Sequence, residues 1–313
     1  MVRLRKFWRA GAAAASPQSD GPTKQRPAIG FMHIPKTAGT SLRAALQQAL
    51  KPEVVVSGFD QMLFGSFTAF ESCGREFRSQ LYLDGLPAAD CYLGHFSLAS
   101  LRAAPTKPKI MTVLREPRSR LLSFWTYWRC LTDRELEGMG GWKTRVGLAK
   151  LPLREFLKRP EIVCQLDNLA VRTLLWPESG IPGNSGIDPA CDRQYLEDAV
   201  EKLSTLEFVD VIENPSLQRN LSEWLGQEIV IPRANEFRGA AIDGPIRYSR
   251  ELDLETVVCL EQHTRLDREL WKIVVRKSMP GVDPERLADQ ALLSAVARQS
   301  ESMAGRPTGE QTP

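Results

Sequence analysis

The segment that most constrains what this chain can fold into is residues 31–50, FMHIPKTAGTSLRAALQQAL. Residues 28–33 are apolar, short and bounded by prolines, which suits a buried strand. Residues 35–40 read as a loop. From Ser41, a residue type that caps helices, Leu42, Ala45, Leu46 and Ala49 recur at helical spacing. A strand that passes into an amphipathic helix through so short a turn is one arm of a β–α unit, and such units assemble into parallel sheets.

The same alternation continues along the chain. Residues 54–56, 91–93, 109–114 and 208–212 read as further strands, the second ending in Gly94-His95 and the third in Arg115. Pro117 stands at a first helical position, and Leu121, Phe124, Trp125 and Trp128 give the helix after it one apolar face. Residues 132–205 read as helices joined by loops, helices follow around 216–225 and 254–277, and a short terminal helix follows Pro284. The expected fold class is therefore α/β: a P-loop-like three-layer α/β/α arrangement with a central, mostly parallel sheet and helical insertions. The expected organisation is a basic, disordered leader (1–27), one domain (28–278) with an acceptor-side helical insertion (132–205), and a terminal helix with a disordered tail (279–313). In such sheets ligands collect beyond the carboxyl ends of the strands, where Lys36, His95 and Arg115 all fall.

Composition adds exclusions. A formal charge of +3 over 313 residues calls for neither nucleic acid nor a membrane surface. The leader lacks the apolar stretch of a secretory signal, no segment reads as membrane-spanning, and the expected location is cytoplasmic. Six scattered cysteines then read as reduced thiols, and with three dispersed histidines they form no metal-ligand cluster.

Gly30-Phe-Met-His-Ile-Pro-Lys36-Thr37 meets the pattern of a nucleoside-triphosphate loop at every defined position but one: Pro35 replaces the glycine before the lysine, and Gly39 follows instead. A turn opening a helix presents unpaired N–H groups and the positive end of the helix dipole. Residues 37–41 (Thr37, Ala38, Gly39, Thr40, Ser41) supply those donors, Gly39 allows close approach, and Lys36 adds a point charge; the alternative is a plain strand–turn–helix with a surface lysine. The wrap is short for a triphosphate, and no acidic residue is placed to hold magnesium.

His33-Ile-Pro-Lys-Thr-Ala-Gly-Thr-Ser41 resembles the 5′-phosphosulfate loop of the sulfotransferases that use 3′-phosphoadenosine-5′-phosphosulfate (PAPS), close to the branch of heparan sulfate 2-O-sulfotransferase and its bacterial relatives. Residues 112–129, TVLREPRSRLLSFWTYWR, resemble the family's 3′-phosphate motif, which implies that Arg115 and Ser123 bind that phosphate. YLGHFSL (92–98) resembles the segment carrying the catalytic histidine, which implies that His95 is the base and Lys36 covers the leaving oxygen. The related enzyme has a second histidine two residues earlier; Leu93 stands there in this chain, and its supporting role is expected to be absent. His33 reads as structural, facing the loop's packing. Asp267, Leu270 and Trp271 match a late family pattern of packing residues, and Gln165 to Leu174 match a helix that borders the acceptor or is simply amphipathic. Arg118, Arg120 and Arg129 read as surface arginines, Arg120 being a possible auxiliary to Ser123. Arg238 and Arg247 belong to a basic loop that closes on the nucleotide in the family, and Glu71 or Glu76 is the fallback base.

The resemblance implies metal-free, in-line transfer of a sulfuryl group from PAPS to a hydroxyl-bearing acceptor, a glycan or glycoconjugate, with no nucleic acid involved. Two other readings stay open at this point: an ATP-dependent kinase with a degenerate loop, and a non-catalytic nucleotide-binding module. Neither the acceptor nor the oligomeric state can be read from the sequence.

Overall fold

A computed structural model describes residues 26–65, 75–178, 180–232 and 248–304. Five parallel strands form the main sheet, in the order β2 (Val55–Val56), β5 (Cys91–Tyr92), β1 (Ile29–Phe31), β6 (Lys109–Leu114) and β7 (Phe208–Val211). A parallel pair β3 (Phe59–Asp60) and β4 (Leu81–Tyr82) forms a second small sheet.

Both faces of the main sheet are buried, because side chains alternate along each strand. Ile29, Phe31, Cys91, Met111 and Val113 point to one face, which α1 (Gly39–Leu50) covers with Leu42, Ala45 and Leu46, and α6 (Leu217–Leu225) with Leu217 and Leu221. Tyr92, Ile110, Leu114 and Val211 point to the other. It is covered by α2 (Leu98–Ala103), α4 (Leu169–Leu175), α5 (Asp192–Ser204) and α7 (Leu254–Ser278). Leu121, Phe124, Trp125 and Trp128 of α3 (Pro117–Arg129) join a separate aromatic cluster with Phe64, Trp142 and Phe156, consistent with their reading as core.

Several local expectations need correction. The helix after the loop starts at Gly39, so Ser41 lies inside its first turn; the cap position is taken by Ala38, left-handed and without a side-chain bond. The left-handed turns at Lys36 and Ala38 bring the chain onto the helical path three residues early, with Ala38 in the cap position expected of Ser41. Arg118 and Arg120 are buried at 5% and 2% exposure, not on the surface. Arg118 is paired with Glu116 at 2.8 Å and with Asp289 at 3.0 Å, and Arg129 donates to the carbonyls of Ala149, Lys150 and Leu151. The terminal helix α8 (Pro284–Ala304) is long, at 21 residues, and packs back on α3. Helix α4 is not amphipathic: all its residues are buried, including Arg172, whose charge is held by Asp167 at 2.8 Å. Among the described residues, five cysteines carry free thiols, and no helix is long and apolar enough to cross a membrane.

Candidate functional site

Strands β5, β1 and β6 are neighbours, and the residues just beyond their carboxyl ends meet on one edge of the sheet. The loop after β1 is tied on both flanks. Toward β6, Thr112 donates to the Met32 carbonyl at 2.9 Å and Arg115 Nη1 to the Lys36 carbonyl at 3.2 Å. Toward β5, the Met32–Ile34 stretch is held by the His33 carbonyl, 2.7 Å from His95 Nδ1. Within the loop, Thr37 donates to the Ile34 carbonyl at 2.9 Å. The loop is thus braced before any ligand arrives, although the strand proper ends at Phe31 rather than at His33.

Lys36 and Ala38 both take left-handed backbone, with φ of 70° and 59°. For residues with a Cβ this costs about 1 kcal/mol or more each, so the surroundings must over-determine it. The result aims the start of α1 outward with no side-chain cap and no acidic residue in its first turn. The N–H groups of Gly39 and Thr40 have no acceptor within the helix, and the dipole's positive end adds to them. Gly39 is also required by its packing. A Cβ there would fall inside the His33 imidazole, so the glycine makes room for that ring.

Three cations surround the loop. Lys36 lies with its ammonium 4.1 Å from the centre of the Tyr127 ring, a favourable cation–π seat. Burial, and then the Arg115 guanidinium, lower its pKa to about 8. Arg115 is itself lowered to about 10, chiefly by burial, with Glu213 acting against the shift. Arg43, on α1, is lowered by burial. Positive charge here is in excess, as an anion site requires. Ser123 stands half-buried on α3, one turn before Tyr127 on the same face. Tyr127 was not singled out in the sequence; that i,i+4 relation to Ser123 was the available signal.

Arg120 sits one step deeper. It lines a cleft with Thr37, Arg115, Asp267 and Trp271, and its Nε, Nη1 and Nη2 have no hydrogen-bond partner among the described residues. Asp267 does more than pack: its carboxylate accepts the N–H groups of Ala170 and Val171 at 3.1 and 3.0 Å, capping α4. Trp271 donates to Glu213 at 3.2 Å, and Glu213 accepts the Glu116 N–H at 2.9 Å. Glu116, fully buried, in turn caps α3 through Arg118 and Ser119. The acidic residue of the Arg-acid-Pro motif therefore fixes the helix start beside Arg115.

His95 is positioned from below by the small sheet. Phe59 forms a parallel bridge to it, its N–H donates to the Gly58 carbonyl at 2.8 Å, and Asp60 accepts the Ser97 N–H at 2.7 Å. Ser97 then caps α2. Burial lowers the His95 pKa to about 4, against the effect of the His33 carbonyl and with help from Arg43 and Lys36. The imidazole is neutral at neutral pH. His33 is not confined to loop packing: its ring stacks on that of His95 at 4.2 Å. Leu93 is buried in the core cluster with Ile29, Phe31 and Cys91.

Lys36, the loop residues 37–41, Arg115 and His95 thus converge on one edge. His263 lies apart, with Nε2 2.7 Å from the Leu157 carbonyl. Arg238, Arg247 and Glu71 lie outside the described residues, and Glu76 falls on a short helix, Arg75–Arg78. No protein-family model matches the chain, and no curated protein matches it.

Proposed function

We propose that this chain is a PAPS-dependent sulfotransferase, built on a P-loop-like frame, that sulfates a hydroxyl of a carbohydrate acceptor. The observation that carries the reading is the meeting, on three adjacent parallel strands, of a braced cationic loop at Lys36, a second cation at Arg115 and a neutral imidazole at His95. The residues fit an anionic nucleotide on their own chemistry. After burial, Arg115 depresses Lys36, the start of α1 is uncapped, and Arg120 has buried donors without acceptors among the described residues. The N–H groups of the α1 start and Lys36 would hold the 5′-phosphosulfate, and Arg115 with Ser123 the 3′-phosphate. When bound, PAPS supplies the sulfuryl group and a phosphate leaving group.

This chain's residues do the rest. The carbonyl of His33 accepts from Nδ1 of His95, which leaves Nε2 with the lone pair that takes the acceptor's hydroxyl proton. Lys36 would hold the leaving phosphate's oxygen and supply the charge that neutralises it, at the cost of leaving its seat on Tyr127, while the loop backbone stays braced. Calorimetric titration with 3′,5′-ADP, ATP and ATP–magnesium tests the reading. Tighter binding of 3′,5′-ADP is expected, and tighter binding of ATP would sink the proposal. Arg115→Ala should weaken 3′,5′-ADP binding tenfold or more. His95→Ala should leave that binding within threefold and abolish transfer from labelled PAPS.

A further inference from the structure

We infer that His33 is a positioning residue: its carbonyl and its ring together set the tautomer and orientation of His95, and the same ring, seated on Gly39, couples the base to the anion loop. The inference rests on the reading of His95 as the base, and it concerns a residue that the motif comparison treated as loop packing.

Three contacts carry it. First, a carbonyl oxygen only accepts, so the 2.7 Å approach of His95 Nδ1 to the His33 oxygen makes Nδ1 the protonated nitrogen. Nε2 is then the only ring nitrogen free to take a proton, and a residue in the loop beyond the neighbouring strand has decided it. Second, the two imidazoles stack, with centroids 4.2 Å apart and planes 28° from parallel. A hydrogen bond alone leaves the His95 ring free to swing about that bond; a flat neighbour against its face removes the freedom. Third, a Cβ at Gly39 would fall inside the His33 ring, so the ring's edge lies directly on the loop backbone.

Among the described residues, the His33 Nδ1 is buried without a hydrogen-bond partner, and Phe31 stacks on the ring at 5.2 Å. A ring packed between the loop and the base transmits displacement from one to the other, because close-packed neighbours cannot absorb it. Lys36 and Arg43 lie near both rings and, after burial itself, hold both histidines unprotonated. The stack is therefore two neutral rings and carries no charge repulsion at neutral pH.

Long-range 1H–15N correlation of the histidine side chains in the full-length protein tests this without any acceptor. The chain has three histidines, and His263 is an internal reference of the opposite tautomer, since its Nε2 faces the Leu157 carbonyl. His95 is expected as pure Nδ1–H in the wild type. In His33→Asn, which removes the ring and keeps the carbonyl, His95 should become a mixture of tautomers. Gly39→Ala, which pushes the ring from the loop side, should move the His95 resonances as well. The His33→Asn variant should keep its 3′,5′-ADP affinity within threefold while its turnover falls tenfold or more, so that kcat drops and KM for PAPS does not. Unchanged His95 resonances in both variants would overturn the inference, as would a wild-type His95 in the Nε2–H form. Resonances that respond as expected in a protein that transfers no sulfate from PAPS would uphold the positioning role and remove the sulfotransferase reading.

Discussion

Lys36 is held between opposing influences: burial and Arg115 favour its neutral form, and the Tyr127 ring favours the charged one. A pKa near 8 means that the free protein loses this charge as pH rises past that value, whereas a bound phosphate retains it. The dissociation constant for 3′,5′-ADP should therefore rise above pH 8, by up to about tenfold per pH unit, in calorimetric titrations between pH 7 and 9.5. Lys36→Arg, permanently charged, should flatten that profile. The two stacked histidines act on stability with a definite sign. Their folded pKa values lie below the ordinary 6.5, that of His95 near 4, so the unfolded chain takes up protons first. Stability is complete above about 6.5 and falls as pH drops toward 4, by at most about 1.4 kcal/mol per pH unit for each ring. Urea unfolding at pH 7.5, 6 and 5 should show this loss, and His95→Gln should remove its share.

At the scale of elements, the capping carboxylates are the joints that aim the site. Glu116→Ala removes the acceptor of the Arg118 and Ser119 N–H groups and strips buried Arg118 of its closest anion. The loss of a cap together with an exposed desolvation penalty should cost about 3 kcal/mol in urea unfolding and weaken 3′,5′-ADP binding through Arg115. Much of this level was legible in the sequence. Strand β6, the Pro117 helix start and the strand–loop–helix at Lys36 announce themselves by period and punctuation. The pair β3–β4 was not legible, because strands of two residues carry no period, and yet it seats His95. The part played by His33 was hidden for another reason. Its neighbour is fixed by the register of β1 against β5, Gly30 beside Tyr92, and register is a property of two strands that neither one encodes alone. Arg118 and Arg120 were misread because burial of a long cationic side chain depends on partners distant in the sequence, here Asp289 and the cleft beside Asp267.

At the scale of the whole molecule, the last helix belongs with the site rather than after it. Helix α8 packs on α3, buries Ala288 and Ala295, and links Asp289 to Arg118 and Glu285 to Lys272 at 3.0 and 2.7 Å. Removing residues 279–313 should lower the melting temperature by about 5–10 °C in thermal unfolding followed by circular dichroism. It should also loosen 3′,5′-ADP binding, because α3 carries Ser123 and opens beside Arg115. The order β5-β1-β6 has a further consequence. Base, loop and second cation stand on consecutive strands, so their separation is graduated by the inter-strand spacing of about 4.8 Å, which every parallel sheet shares. That ruler lies in the backbone, and the helices of residues 132–205 are built against it, α4 and α5 on the sheet and Trp142 and Phe156 against α3. A change of acceptor therefore falls to the exposed loops that join them, and a variant altered only in those loops should keep the same reach from proton acceptor to anion while meeting a different molecule.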